Sequence, residues 1–178
     1  MTADPAPMLR AVPTDGAAEA VTWWDPRRQF VGALLWLTAE RAAPFLAAVP
    51  GDAIDEPLTR WTYEVIGALV ADGRDPHPTA VLHRAKTQPA TGALHPDRPP
   101  TGRDHHRLAT HLAGLYVQVL DPRAIADYAR DVREEAYRVA VHAAADRLHH
   151  LADAQPDAAR LVSDVVAVCG ALIESPRP

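Results

Sequence analysis

Cysteine is almost missing from this chain, and serine is scarce. The single cysteine, Cys169, excludes an internal disulfide and is compatible with a reducing cytoplasm. The two serines, Ser163 and Ser175, both lie near the C-terminus, and no G-x-S-x-G elbow occurs, which argues against a serine nucleophile. Nor is there a G-x-x-x-x-G-K-[ST], so a phosphate cradle of the P-loop kind is excluded. Long hydrophobic runs are absent too. The longest, FVGALLWL at Phe30–Leu37 and VVAVCGALI at Val165–Ile173, fall far short of the ~20 residues that a membrane span needs. Basic excess is lacking: 18 Lys and Arg stand against 23 Asp and Glu for a net charge of -5, so the composition carries no bias toward nucleic acid. The first twenty residues have no basic start followed by an apolar block, which predicts no secretory signal and a cytoplasmic location.

What is present is helical periodicity. The length of 178 residues allows one domain or a small domain with an appendage, and burial of about 70% of the unfolded surface makes a staple unnecessary. Residues 1–21 are rich in Ala, Pro, Asp and Thr without apolar periodicity, the composition of a disordered tail. Asp25 followed by Pro26 is a helix-start signal, because Asp accepts orphan amides and Pro has none to leave orphaned. Phe30, Val31, Leu34, Leu35 and Leu37 then form a broad apolar stripe.

A short piece, APFLAAVPG, carries breaks at Pro44, Pro50 and Gly51. Leu58, Trp61, Val65, Ile66 and Leu69 recur at helical spacing, with Gly73 as a C-terminal stop and Pro76 behind it. PTAVLHRAK predicts a short helix. The stretch from Thr87 to Asp104 holds four prolines and two glycines and predicts a long loop. Leu108, Leu112, Leu115, Tyr116 and Val119 mark a further amphipathic helix. Asp121-Pro122 restarts the chain as a helix to about Ala152, with Ile125, Tyr128, Val132, Ala136, Val139, Ala143 and Leu148 on one face. Arg130–Glu134 and Glu134–Arg138 are i,i+4 pairs of opposite charge, each contributing a few tenths of a kcal/mol.

Such a helix is roughly 45 Å long, more than a compact domain of this size needs, so it should project. After DAQPD, Leu161, Val162, Val165, Val166, Cys169 and Leu172 define a last helix; the short break predicts an antiparallel hairpin. No segment alternates with period two. The expected fold is all-α: a globular part over 22–120, a helical hairpin over 121–174 and a flexible end at 175–178.

Candidate chemistry is sparse. His105, His106 and His111 fall on one helix and His142, His149 and His150 on another. None forms an i,i+4 pair supported by a carboxylate of the H-E-x-x-H kind, so solvated or capping histidines are expected and no metal or cofactor is. Glu134 and Glu135 are neighbours about 100° apart around a helix and belong to a salt-bridged surface. Trp23–Trp24 admit two readings, an exposed stacking platform or a staple folded back on the core. Cys169, on an apolar face, is expected to be a small buried hydrophobe.

Taken in order, these segments resemble the N-terminal domain of the DnaB-type replicative DNA helicase. QFVGALLWL resembles its first helix around the position of Gly32. In IDEPLTRWTYEVIGALVADGRDPHPTAVLHRAK, the residues Trp61, Tyr63, Ile66, Gly73 and Val81 occupy corresponding slots. AIADYARDVREEAYRVAVHAAADRLHHLA resembles the family's hairpin helix, with Tyr128, Ala129, Val132, Arg133, Glu134 and Arg138 on its landmarks. The resemblance spans about residues 25–173. Two things depart from it: the Pro-rich loop replaces a glycine-containing connector, and the ATPase motor with its P-loop is missing.

The resemblance implies a non-catalytic interaction module. In the family this domain forms a ring collar as a trimer of dimers, and its hairpin face receives the C-terminal domain of primase. A homodimer or higher homo-oligomer is therefore expected, with Phe30, Leu34 and Trp61 as candidate self-association contacts. Primase or the replicative helicase is the expected partner, with Tyr128, Arg133 and Arg138 as candidate contacts, since Tyr and Arg carry much interface energy. Direct nucleic-acid contact and membrane contact are not expected. Two alternatives stand beside this: a small nucleic-acid- or metal-binding regulatory protein using the histidines and Trp23–Trp24, and a split product whose motor half is encoded elsewhere.

Overall fold

The structure, a computed structural model, describes residues 23–93, 95, 97–154 and 157–174. The tail and flexible end expected at 1–21 and 175–178 lie outside the described residues. Among the described residues there are seven α-helices, two 3₁₀ turns and no strand: the protein is all-α.

The first helix, α1 (Pro26–Leu34), begins as its sequence dictates. The Asp25 carboxylate accepts the Arg27 N–H at 2.9 Å, and Pro26 occupies the first turn. Phe30, Val31, Leu34 and Leu35 are fully buried and Leu37 nearly so. Helix α1 is the hub, touching α3 (Pro57–Ala71), α5 (Gly102–Val117) and α6 (Ile125–Asp153). Gly32 makes the α5 crossing possible. A Cβ there would stand 2.5 Å from Val119 Cγ2 and 2.6 Å from the Leu115 carbonyl oxygen, so two backbones meet where any side chain would collide.

Helix α2 (Ala39–Ala48) runs through Pro44, which the sequence marks as a break. A proline there forfeits one internal hydrogen bond; separately, the orphan first-turn amide of Ala39 donates to Asp75 Oδ1 at 2.7 Å. Helix α3 buries Trp61, Val65, Ile66 and Leu69. It ends at Gly73, whose φ of 68° suits a residue without a Cβ. Gly73 N–H donates to the Val70 carbonyl and Arg74 N–H to the Leu69 carbonyl, both at 2.9 Å, the paired closure of a Schellman motif. The Tyr63 hydroxyl donates to the Val49 carbonyl at 2.6 Å; burial pushes this phenol up to about 12. A short α4 (Pro78–Arg84) leads into the Pro-rich segment. Then α5 starts from a reciprocal cap, in which Thr101 Oγ1 accepts the Asp104 N–H and the Asp104 carboxylate accepts the Thr101 N–H.

Helix α6 has 29 residues and so extends roughly 44 Å. Its first turns belong to the globule: Ile125, Ala129 and Val132 are buried in the same core as α1. Residue 121 is therefore a chain punctuation rather than a packing boundary. Helix α7 (Ala158–Glu174) packs back along α6, with Asp157 Oδ1 accepting the Arg160 N–H at its start.

Candidate interaction surfaces

One helix carries two apolar stripes. Along the root of α6, Ile125, Ala129 and Val132 recur at four- and three-residue spacing and face the core, with Ala136 half-covered one turn farther on. Farther out the stripe is Tyr137, Val141, Ala144, Leu148 and Leu151, at the same spacing but displaced by about a third of a turn. Ala144 is buried and the others are partly so, except Val141 at 39% exposure. The single face expected through Val139 and Ala143 does not exist. Both are exposed, because the helix changes partner, from the globule to α7, and turns a different side to each.

Helix α7 is more unusual. All its residues except Arg160, Ser163, Asp164, Gly170 and Glu174 are apolar, yet none is buried. Leu161, Val165, Val168 and Leu172 form a half-covered stripe. About 100° around the helix, Val162, Val166, Cys169 and Ile173 form a second stripe of the same spacing. Val162, Val166 and Ile173 are 63–65% exposed, and Cys169 is exposed as well. The expectation that Cys169 is a buried hydrophobe fails for that reason: its face is apolar, but nothing among the described residues covers it.

The predicted contact residues do not gather. Phe30 and Leu34 are at 0% and Trp61 at 4% exposure, so these three candidates for self-association are spent inside the globule. The Trp61 indole N–H donates to the Gln88 carbonyl at 2.8 Å. Tyr128 is half-buried against the core, Arg133 is half-buried, and Arg138 is exposed. At five-residue spacing they lie about 140° apart around α6 and share no face. Arg138 makes ion pairs of 3.5 Å with Glu134 and 3.2 Å with Glu135. Arg130 pairs with Asp127 at 3.1 Å and Asp131 at 3.7 Å rather than with Glu134. These pairs are exposed and contribute little beyond solubility.

Trp23 and Trp24 are 49% and 69% exposed, which removes the staple reading. Trp36, also half-exposed, stacks on Tyr116 with ring centroids 4.3 Å apart and planes 3° from parallel. The Gln29 side chain, buried, donates to the Trp23 and Gln118 carbonyls and accepts the Leu120 N–H, tying the start of the described chain to the end of α5.

The histidines also separate. His105 Nε2 lies 2.9 Å from the Leu82 carbonyl. His111 enters a polar knot that the spacing of histidines did not signal: its Nε2 lies 2.9 Å from Thr59 Oγ1, and the Thr59 hydroxyl in turn hydrogen-bonds Glu56. Arg28 grips the same carboxylate at 2.9 and 3.1 Å. Thr59 has one hydrogen to donate, and Glu56 takes it, so His111 Nε2 carries a proton and donates to Thr59. Burial holds the His111 pKa below the ordinary imidazole range, against the pull of Glu56. Thr59 is fully buried, so this knot joins α1, α3 and α5 and offers no reachable nucleophile. Among the described residues no three His, Cys, Asp or Glu converge as a metal site, and no helix is long and apolar enough to cross a membrane. Compared with family models, with curated proteins and with solved structures, the chain finds no match.

Proposed function

We propose that this chain is a non-catalytic interaction module related to the N-terminal domain of the DnaB-type replicative helicase, self-associating and binding primase or the replicative helicase during DNA replication. The observation that supports it is α7, an apolar helix without one buried residue. An isolated apolar side chain at a surface is ordinary, whereas a continuous stripe marks an interface. The spacing of Val162, Val166, Cys169 and Ile173 is that of a coiled-coil seam, and no charged residue interrupts it. Its complement is another apolar helix, and a second α7 related by a twofold axis has the required shape and chemistry.

Magnitudes decide how tight such a pair is. Fully burying an aliphatic side chain contributes ~1.5–3 kcal/mol. Covering the exposed two-thirds of Val162, Val166 and Ile173 in both copies then amounts to ~6–12 kcal/mol. Association costs of ~4–15 kcal/mol offset most of it. The dimer is therefore weak and reversible, which suits a surface that also receives a partner. Sedimentation across the micromolar range tests self-association: the average mass should rise with concentration, and Val166→Glu should return it to that of one chain. Titration calorimetry with the C-terminal domain of a primase tests the partner. Heat that disappears with Tyr128→Ala or Val166→Glu supports the hairpin face; a chain that stays monomeric and gives no heat refutes the reading.

A further inference from the structure

A cleft of about 770 Å³ opens between α3 and the Pro-rich segment, within the ~300–1,000 Å³ range of small-molecule sites. It is separate from the hairpin, and the proposed interaction surface makes no use of it. The loop that forms its outer wall is fastened down. Thr91 N–H donates to Glu64 Oε2 at 2.9 Å, Trp61 Nε1–H to the Gln88 carbonyl at 2.8 Å, and the reciprocal cap of Thr101 and Asp104 closes the far end. Leu58, the edge of Trp61, Pro89 and Pro99 give it an apolar floor and wall.

Charge selects the occupant. Each carboxylate on the lining is engaged within the chain: Asp55 by Arg27 at 2.6 Å, Glu64 by Arg60 at 3.3 Å and by Thr91, and Asp104 by Thr101. The cations are differently placed. The side chains of Arg98 and Arg107, both exposed on the rim, form no hydrogen bond or ion pair among the described residues. The charges of Arg107 and Arg103 add to the Thr101 hydrogen bonds that hold the Asp104 carboxyl below its ordinary range. In a chain of net charge -5, the lining sets three arginines against three carboxylates, and two of those guanidiniums stand above the apolar floor without an ion pair among the described residues. A guanidinium presents a planar fork suited to carboxylate or phosphate oxygens.

We propose that this cleft binds a small organic anion, a flat apolar body carrying a phosphate or carboxylate, with Arg98 and Arg107 on the anionic group and the body against Leu58, Trp61 and Pro99. The test uses the full chain and 8-anilinonaphthalene-1-sulfonate, a flat fused ring bearing one anionic group, followed by its fluorescence. Saturable binding of one dye per chain that weakens with added salt is expected. The double variant Arg98→Gln, Arg107→Gln should weaken it at least tenfold. Gly92→Phe adds a ring on the lining at a position where a Cβ meets nothing within 4 Å, and should also weaken it. Circular dichroism confirms that both variants fold. Val162→Glu, on the free face of α7, should leave this binding unchanged and so separates the cleft from the hairpin surface. Displacement of the dye by ATP assigns a phosphate-bearing ligand, and displacement by 1-naphthoate a carboxylate. Dye affinity that ignores both cleft variants, or that follows Val162→Glu, overturns the proposal, as does failure of both competitors to displace it.

Discussion

The two ends of α6 follow one helical grammar to opposite ends. At its root, Ile125, Ala129 and Val132 lie within a core shared with Phe30, Leu34 and Ile66. At its far end and in α7 the side chains are as apolar, yet among the described residues beyond Val132 only Ala144 is buried. Composition does not distinguish the two regions. What distinguishes them is the number of layers: the root has α1 on it, whereas the outer part has α7 alone, and two helices cannot enclose each other's stripes. Apolar surface that a globule consumes for stability is, on the hairpin, left available for association.

Substitutions can break this comparison, and the largest effect should fall in the globule. Phe30→Ala removes a fully buried ring and should cost about 3–5 kcal/mol, read as a lower midpoint in urea. Gly32→Ala comes next. Its Cβ would strike Leu115 O and Val119, and overpacking of this kind costs roughly 1–3 kcal/mol; a stability equal to the parent's would show that α1 and α5 separate freely.

Gly73→Ala forces a Cβ into a left-handed conformation with φ 68° and should cost about 1–2 kcal/mol. Val166→Ala on α7 is the counterpart. With 65% of that side chain exposed, the monomer should change by less than about 0.5 kcal/mol, while the mass in solution shifts toward a single chain. A large loss of stability at Val166 would mean that α7 is covered after all.

The pH dependence sharpens the same contrast. His111 is held neutral inside the globule by burial, with its pKa below the ordinary 6.5. The unfolded chain therefore takes up a proton first as pH falls. This contribution to stability is complete above about 6.5 and is lost as pH drops from there through the lowered folded value. Urea midpoints between neutral and mildly acidic pH should fall for the parent and change less for His111→Gln.

Much of the helical framework is legible in the residues because its determinants are local. Asp25 and Pro26 start α1, and Gly73 ends α3, through hydrogen bonds spanning a few residues. The stripes of Phe30 to Leu37 and Trp61 to Leu69 repeat with the helix itself. Burial is another matter, being a property of what lies opposite. Cys169 and Val166 carry the same pattern as Leu34 and differ from it in that nothing among the described residues covers them. Tyr128, Arg133 and Arg138 are of types that favour interfaces, yet their angular spacing around α6 separates them. The His111 knot draws on Arg28, Glu56 and Thr59 from two other helices, and no spacing within one helix announces it.

By itself, then, the sequence determined the all-α class and the places where helices start and stop, since propensity, capping and periodicity act within a few residues. Only the tertiary structure decided which stripes are covered, that α6 changes faces midway, and that the Pro-rich segment closes over a cleft with two uncommitted arginines. Those outcomes depend on contacts between residues distant in sequence, and free energy of burial exists only once both sides of a contact are in place.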